Sequence, residues 1–85
     1  YANLSGAVLT DANVTYAKLS RANLSRANLS GVDLSYSDLD KTELTKTDLT
    51  GAILTGVDLT GAILTGVIGA DFTGALNVPE RYLKD

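Results

Sequence analysis

Acidic side chains recur at a fixed spacing in the middle of this sequence. Asp33, Asp38, Glu43 and Asp48 stand five residues apart. Carboxylates in such a series could bind a cation, act as general acids and bases, or form a negative surface for a partner. The element that positions them decides between these roles, because only carboxylates that converge can share a ligand or a proton.

The composition excludes most other site chemistry. The 85 residues include no Cys and no His, so disulfides, thiolate nucleophiles, imidazole bases and the common zinc sites are absent. The glycines mostly recur singly, which is typical of turns rather than of a phosphate-binding loop. The sequence therefore predicts no catalytic residues, no metal, no cofactor and no enzyme activity.

Length and charge narrow the class of protein. The chain length predicts a single domain, and no apolar run is long enough to insert in a membrane. A net charge of -3 disfavours binding to nucleic acid. The absence of Met indicates a piece of a longer protein. The compartment stays open, because a Cys-free chain suits the cytoplasm, the periplasm or the thylakoid lumen.

An aliphatic residue recurs every five positions from Leu4 to Leu64. We name this position i; position i−2 is small or β-branched, and position i+1 is Ser or Thr except at Asp40. Neither an α-helix nor a long strand would keep residues five apart on one face. A short extended piece followed by a turn would, with i and i−2 pointing inward. The predicted core residues at position i are Leu4, Leu9, Val14, Leu19, Leu24, Leu29, Leu34, Leu39, Leu44, Leu49, Leu54, Leu59, Leu64 and Phe72.

Residues 2–6, 22–26 and 27–31 each read Ala-Asn-Leu-Ser followed by Gly or Arg. The chain thereby resembles the pentapeptide-repeat family, whose motif is Ala-(Asn/Asp)-Leu-X-X, over roughly residues 1–76. The resemblance implies an all-β solenoid, a right-handed quadrilateral β-helix of about four coils with 20 residues each. It also implies a bacterial and most often cyanobacterial source.

The five-residue spacing is interrupted after Gly66. The next central position would be Gly69, and the pattern resumes with Phe72 at the centre. We therefore expect a bulge or a short loop at Ile68-Gly69, in a register break near 67–69.

The sequence divides into a repeat domain over 1–76 and a C-terminal cap over 77–85. Pro79, with an acidic residue after it, predicts the start of a short helix. Tyr82 and Leu83 are predicted to cover the apolar end of the core, because solenoids need capped ends. The opposite end starts in register, which predicts end-to-end self-association through an uncapped N-terminal coil.

Coils of 20 residues would place the four acidic residues on four different faces. Asp33, Asp38, Glu43 and Asp48 would form a belt around the molecule, so they could not converge on a metal ion. Lys18 would lie beside Asp38 and form an ion pair with it.

The same 20-residue coil stacks Tyr16 on Tyr36 at a corner. This stack is predicted either as an ordinary ladder or as part of an interaction surface for a protein partner. Ser37, Thr42 and Thr47 would point inward, and their hydroxyls would bond nearby backbone groups. A buried polar ligand site is the alternative for these three residues.

The functional prediction is a rigid, non-enzymatic scaffold for protein–protein interaction, with no specific task assigned. Some proteins that the chain resembles mimic DNA and bind DNA gyrase, which gives a second hypothesis. Charge weighs against it, because residues 1–32 carry three basic residues and one acidic residue while residues 33–72 carry two and seven. A third hypothesis is a structural module or spacer of a larger protein. Ice binding is disfavoured because Ser and Thr are shared among all four faces.

Overall fold

A computed structural model describes residues 2–82, apart from the side chain of Arg81, and Tyr1 and residues 83–85 lie outside the described residues. Isolated parallel bridges join residues twenty apart along the chain, from Asn3 with Asn23 to Asp48 with Ile68. Within the described residues, the 3₁₀ helix Glu80–Tyr82 is the single helix or strand. The molecule, 28 × 23 × 20 Å in extent, is therefore a solenoid built from one-residue bridges and turns.

Each five-residue repeat ends in a turn whose third residue has a left-handed backbone. The φ angles at position i+2 lie between 57 and 71° from residue 6 to residue 66. In most repeats the N–H of residue i+3 donates to the carbonyl of residue i, as from Ala27 to Leu24 at 3.0 Å. This combination defines a type II turn. Residues with a side chain pay about 1–2 kcal/mol for the left-handed conformation, which explains why Gly shares this position.

Asn or Asp at position i−1 fixes the extended piece that precedes each turn. Oδ1 of Asn28 accepts hydrogen bonds from the Ser30 backbone N–H at 3.1 Å and from its hydroxyl at 2.7 Å. Asp58 accepts the same pair from Thr60 at 3.0 and 2.6 Å. This side-chain turn explains why Asn or Asp and Ser or Thr occur two residues apart throughout the sequence.

The leucine column is sealed in the middle of the solenoid and more open at its ends. The position-i leucines from Leu24 to Leu64 are at most 2% exposed, whereas Leu4 and Leu19 in the first layer are partly buried. Phe72 at the other end is partly buried as well. All fourteen predicted core residues belong to this cluster or pack against it.

The three inward hydroxyls bond the backbone. The Ser37 hydroxyl donates to the Val14 carbonyl at 2.6 Å and accepts from the Ala17 N–H at 3.1 Å, so it bridges the turn of the adjacent layer. Thr42 and Thr47 each donate to a leucine carbonyl at 2.7 Å. No buried side-chain polar atom within residues 2–82 lacks a partner. The hydroxyls are therefore structural, as the sequence predicts, and the alternative of a ligand site has no support.

The register break shortens the solenoid by two residues on one side. Ile68 still pairs with Asp48 at an offset of twenty, but Leu76 pairs with Asp58 at an offset of eighteen. Gly69, at a central position, has φ +64° and forms the corner itself. The expectation of a bulge is corrected to a deletion: a glycine has no side chain to bury, so the chain turns two residues early.

The chain ends in a short turn against the core. The Tyr82 N–H donates to the Pro79 carbonyl at 3.0 Å, and Val78 and Tyr82 pack against the core. The Tyr82 hydroxyl lies 3.4 Å from that of Thr65. Leu83, the other predicted cap residue, lies outside the described residues, and the assignment of 77–85 as a cap stays a prediction.

Candidate functional site

Two tyrosines form an exposed aromatic stack at one corner of the solenoid. The ring centroids of Tyr16 and Tyr36 are 5.3 Å apart, with 19° between the ring planes. They stack because both occupy position i+2 of repeats that lie one layer apart. Their exposed fractions of 72% and 56% leave a large aromatic surface open to solvent.

The next layer supports this stack with a glycine. A Cβ atom at Gly56 would overlap the ring of Tyr36, so the ring lies directly against the Gly56 backbone. Each ring therefore has a neighbour in the adjoining layer, which restricts its rotamers. The corner presents a preorganised aromatic surface to a partner, with little side-chain entropy left to lose.

The acidic belt consists of Asp33, Asp38, Glu43 and Asp48, which occupy position i−1 in four consecutive repeats. Asp33 accepts from the Ser35 hydroxyl at 2.6 Å and from its N–H at 3.0 Å. These hydrogen bonds, that of the hydroxyl first, lower the pKa of the Asp33 carboxyl. The pKa of Asp48 is lowered in the same way by its following threonine. Both carboxylates are thus held in the charged form.

Asp40 departs from the repeat, since it stands where Ser or Thr normally follows the leucine. Its N–H donates to Oδ1 of Asp38 at 3.1 Å, and the Ser20 hydroxyl donates to its carboxylate. The side-chain hydrogen bond with Asp38 is the largest cause that raises the pKa of Asp40, followed by burial and the charge of Asp38. Asp40 therefore adds a second carboxyl to this side of the acidic belt.

Lys18 and Asp38 are neighbours through a parallel bridge. No ion pair joins the two side chains, however, so the predicted ion pair is wrong. The Lys18 side chain is exposed, and a fully hydrated ammonium gains little from a surface carboxylate.

The acidic belt does not gather its carboxylates. Each member pairs with a different column of residues, for example Asp33 with Asn13 and Glu43 with Asn23. Within residues 2–82, no group of three acidic residues could hold a metal ion. The belt can therefore act as a ring of negative charge, but not as a coordination site.

Sequence reasoning missed two features that follow the acidic belt along the chain. Ile53, Ile63, Ile68 and Leu76 occupy position i−1 and are 39 to 53% exposed. Ile68 and Leu76 flank a cleft under residues 69–74 along the chain. The available signal was the replacement of Asn or Asp by Ile at these positions, together with the register break.

Comparison with known proteins identifies the family. The model of the family described as pentapeptide repeats matches residues 1–26 and 27–66 with eight copies. The chain belongs to the pentapeptide-repeat family. A search of curated proteins found no match. No helix within residues 2–82 is long and apolar enough to cross a bilayer.

Solved pentapeptide-repeat structures are similar to this one. QnrB1, a plasmid-mediated fluoroquinolone resistance protein, is 26% identical with a TM-score of 0.69, over 96% of this chain and 44% of its own. Rfr23 from the cyanobacterium Cyanothece 51142 is 35% identical with a TM-score of 0.52, over 78% of this chain and 48% of its own. The chain thus spans less than half the length of either protein. These neighbours support the solenoid fold.

Proposed function

We propose that this pentapeptide-repeat chain is a rigid, non-enzymatic scaffold that binds a protein partner. The observation that carries the proposal is the stacked, exposed pair of Tyr16 and Tyr36. Tyr36 lies at the corner between the sides that hold Asp33 and Asp38, so aromatic surface and negative charge adjoin each other. Aromatic residues are enriched at the energetic centres of interfaces.

The partner surface that complements this corner carries arginine. A guanidinium stacks on a tyrosine ring and pairs with a carboxylate through the same planar group. The 20-residue spacing of the bridges and the family membership support a right-handed quadrilateral β-helix as the scaffold. Such a solenoid holds its surface side chains at fixed separations, which favours a preorganised interface.

Affinity capture from the native host tests this proposal. A double variant, Tyr16→Ser with Tyr36→Ser, should lose most of the partner that the unchanged chain enriches. Arg26→Ser is the matched control, because Arg26 is also exposed and has φ 62° at a corner; it should retain the partner. Equal recovery with the double variant, or no partner specific to the unchanged chain, would overturn the proposal.

A second candidate function is binding to DNA gyrase as a DNA mimic. The similarity to QnrB1, described as a fluoroquinolone resistance protein, favours it. The acidic belt opposes it, because the carboxylates encircle the solenoid instead of following a line of phosphates. A supercoiling assay decides: inhibition of gyrase at about micromolar protein supports mimicry, and unchanged supercoiling eliminates it.

The third candidate is a structural module of a larger protein, including end-to-end self-association. The partly buried Leu4, Leu9, Val14 and Leu19 of the first layer support it, since another layer could cover them. Sedimentation over a concentration series tests self-association. A Leu9→Glu variant should remain monomeric if this end forms the contact, and a monomer at every concentration for the unchanged chain would exclude it.

A further inference from the structure

The register break leaves a cleft between two layers of the solenoid. Gly69 lies over Thr50, and a Cβ at Gly74 would be 3.3 Å from the Thr55 Cα, so both ends of segment 69–74 touch the layer beneath. Between them the segment arches over residues 51–54 and encloses about 310 Å³. This volume falls at the lower end of the range for ligand pockets.

The neighbouring layer shows what normally fills this position. Ile53 donates its N–H to the Val32 carbonyl at 2.9 Å and accepts from the Leu34 N–H at 2.9 Å. One extended residue therefore fits between a carbonyl and an N–H two residues further along the chain. This is the parallel pairing that recurs throughout the regular layers.

In the cleft the corresponding groups are the Ala52 carbonyl and the Leu54 N–H. Within residues 2–82, neither group forms a hydrogen bond, because the chain turns at Gly69 and passes this side two residues early. Backbone groups at a strand edge are strong, directional partners for another chain. The cleft thus lacks one residue of the parallel ladder.

The rim of the cleft adds charge and apolar surface. Asp71 lines it, and its Oδ1 accepts from the Thr73 N–H at 3.0 Å and from the Thr73 hydroxyl at 2.6 Å. Those hydrogen bonds, that of the hydroxyl first, lower the pKa of the Asp71 carboxyl. Ile53 also lines the cleft and is 47% exposed. A long basic side chain can lie along Ile53 and place its charge beside Asp71.

We propose that this cleft binds one extended residue of a partner polypeptide that carries arginine or lysine at that residue. Its N–H donates to the Ala52 carbonyl, its carbonyl accepts from the Leu54 N–H, and its side chain reaches Asp71. This is strand addition limited to a single residue. It rests on the proposed function only in that the occupant is a polypeptide, and the cleft is separate from the tyrosine corner.

A blocked tripeptide, acetyl-Ala-Arg-Ala-amide, probes the cleft by NMR titration of the full chain. Two hydrogen bonds and one exposed charge pair predict about millimolar affinity, with the largest shift at the Leu54 amide. The same peptide with its Arg nitrogen methylated cannot donate to Ala52 and should bind about 5- to 10-fold more weakly. Asp71→Asn should weaken binding about threefold.

A second variant closes the cleft with the chain itself. Gly69→Leu with a Thr-Gly pair inserted after it completes the repeat, so that Asp71 and its neighbours shift into the 20-residue register. The tripeptide should then leave the Leu54 amide unchanged. Ile63→Thr, on another side of the solenoid, is the control and should bind normally.

Three results would overturn the proposal. These are no saturable shift at Leu54, equal binding of the methylated peptide, or unchanged binding by the variant that closes the cleft. None of them bears on the tyrosine corner, whose test is partner capture with the Tyr16 and Tyr36 variants. The two proposals can therefore fail separately.

Discussion

The regular layers and the interrupted end use the same repeat with different results. In the regular part, Leu34 is 1% exposed and its N–H pairs with the next layer at 2.9 Å. At the interrupted end Phe72 is only partly buried, and the Leu54 N–H below it pairs with no described residue. The five-residue period thus serves side-chain burial and backbone pairing together. A two-residue deletion keeps the side chain inward but loses the pairing on one side.

Truncation of a central leucine is expected to have the largest effect. Leu44 is fully buried, so Leu44→Ala should lower the free energy of unfolding by about 2–5 kcal/mol. Phe72→Ala removes a larger side chain but should cost less, because Phe72 is partly exposed. Chemical denaturation of both variants measures the difference. A greater loss for Phe72→Ala would contradict the contrast between the two regions.

Completion of the shortened repeat should reverse part of that contrast. Gly69→Leu with the inserted Thr-Gly pair adds one buried leucine and two backbone hydrogen bonds. After the entropy of two further ordered residues, we expect a gain of about 1–3 kcal/mol in the free energy of unfolding. Thermal unfolding by circular dichroism is the measurement. A lower midpoint would show that the break is not a deletion from the regular fold.

Two buried hydroxyls should differ within the regular layers. Ser37→Ala should cost about 1–2 kcal/mol, because the Val14 carbonyl and the Ala17 N–H both lose their partner. Thr47→Val should cost less than about 1 kcal/mol, because the Leu24 carbonyl keeps its bond from the Ala27 N–H at 3.0 Å. Equal losses in urea denaturation would argue against the bridging role of Ser37.

Acid should weaken the aspartate turns in both regions. The pKa values of four aspartates lie below their ordinary value of 3.8. Their contribution to stability is therefore complete above about pH 4 and is lost as the pH falls through the lowered values. The raised pKa of Asp40 acts in the opposite sense, because protonation relieves its unfavourable charge. The four residues are Asp33, Asp48, Asp58 and Asp71.

Replacement of these four by asparagine tests the acid dependence. An asparagine keeps the acceptor oxygen, as Asn28 does with Ser30, but it cannot be protonated. The variant should resemble the unchanged chain near neutral pH and lose less stability in acid. Parallel unfolding curves down to the acid range would refute a role for these carboxylates.

Much of the candidate site follows from the repeat length. A layer of 20 residues is enough to place Tyr16 over Tyr36 and to spread the acidic belt around the solenoid. The ion pair of Lys18 with Asp38 was predicted from the same spacing and does not form, because proximity on a hydrated surface does not fix a side chain. The cleft could not be predicted either, since a break in the pattern does not say whether residues are inserted or missing.

The sequence by itself determined the family, the inward positions and the neighbours in each column, because a strict five-residue pattern has one compatible solenoid. Only the tertiary structure decided how the chain resolves the break at Gly69, where a central residue without a side chain lets the turn form two residues early. It also decided that the Ala52 carbonyl and the Leu54 N–H face a cleft. Backbone pairing depends on the position of the adjacent layer, and no local pattern encodes that position once the period is broken.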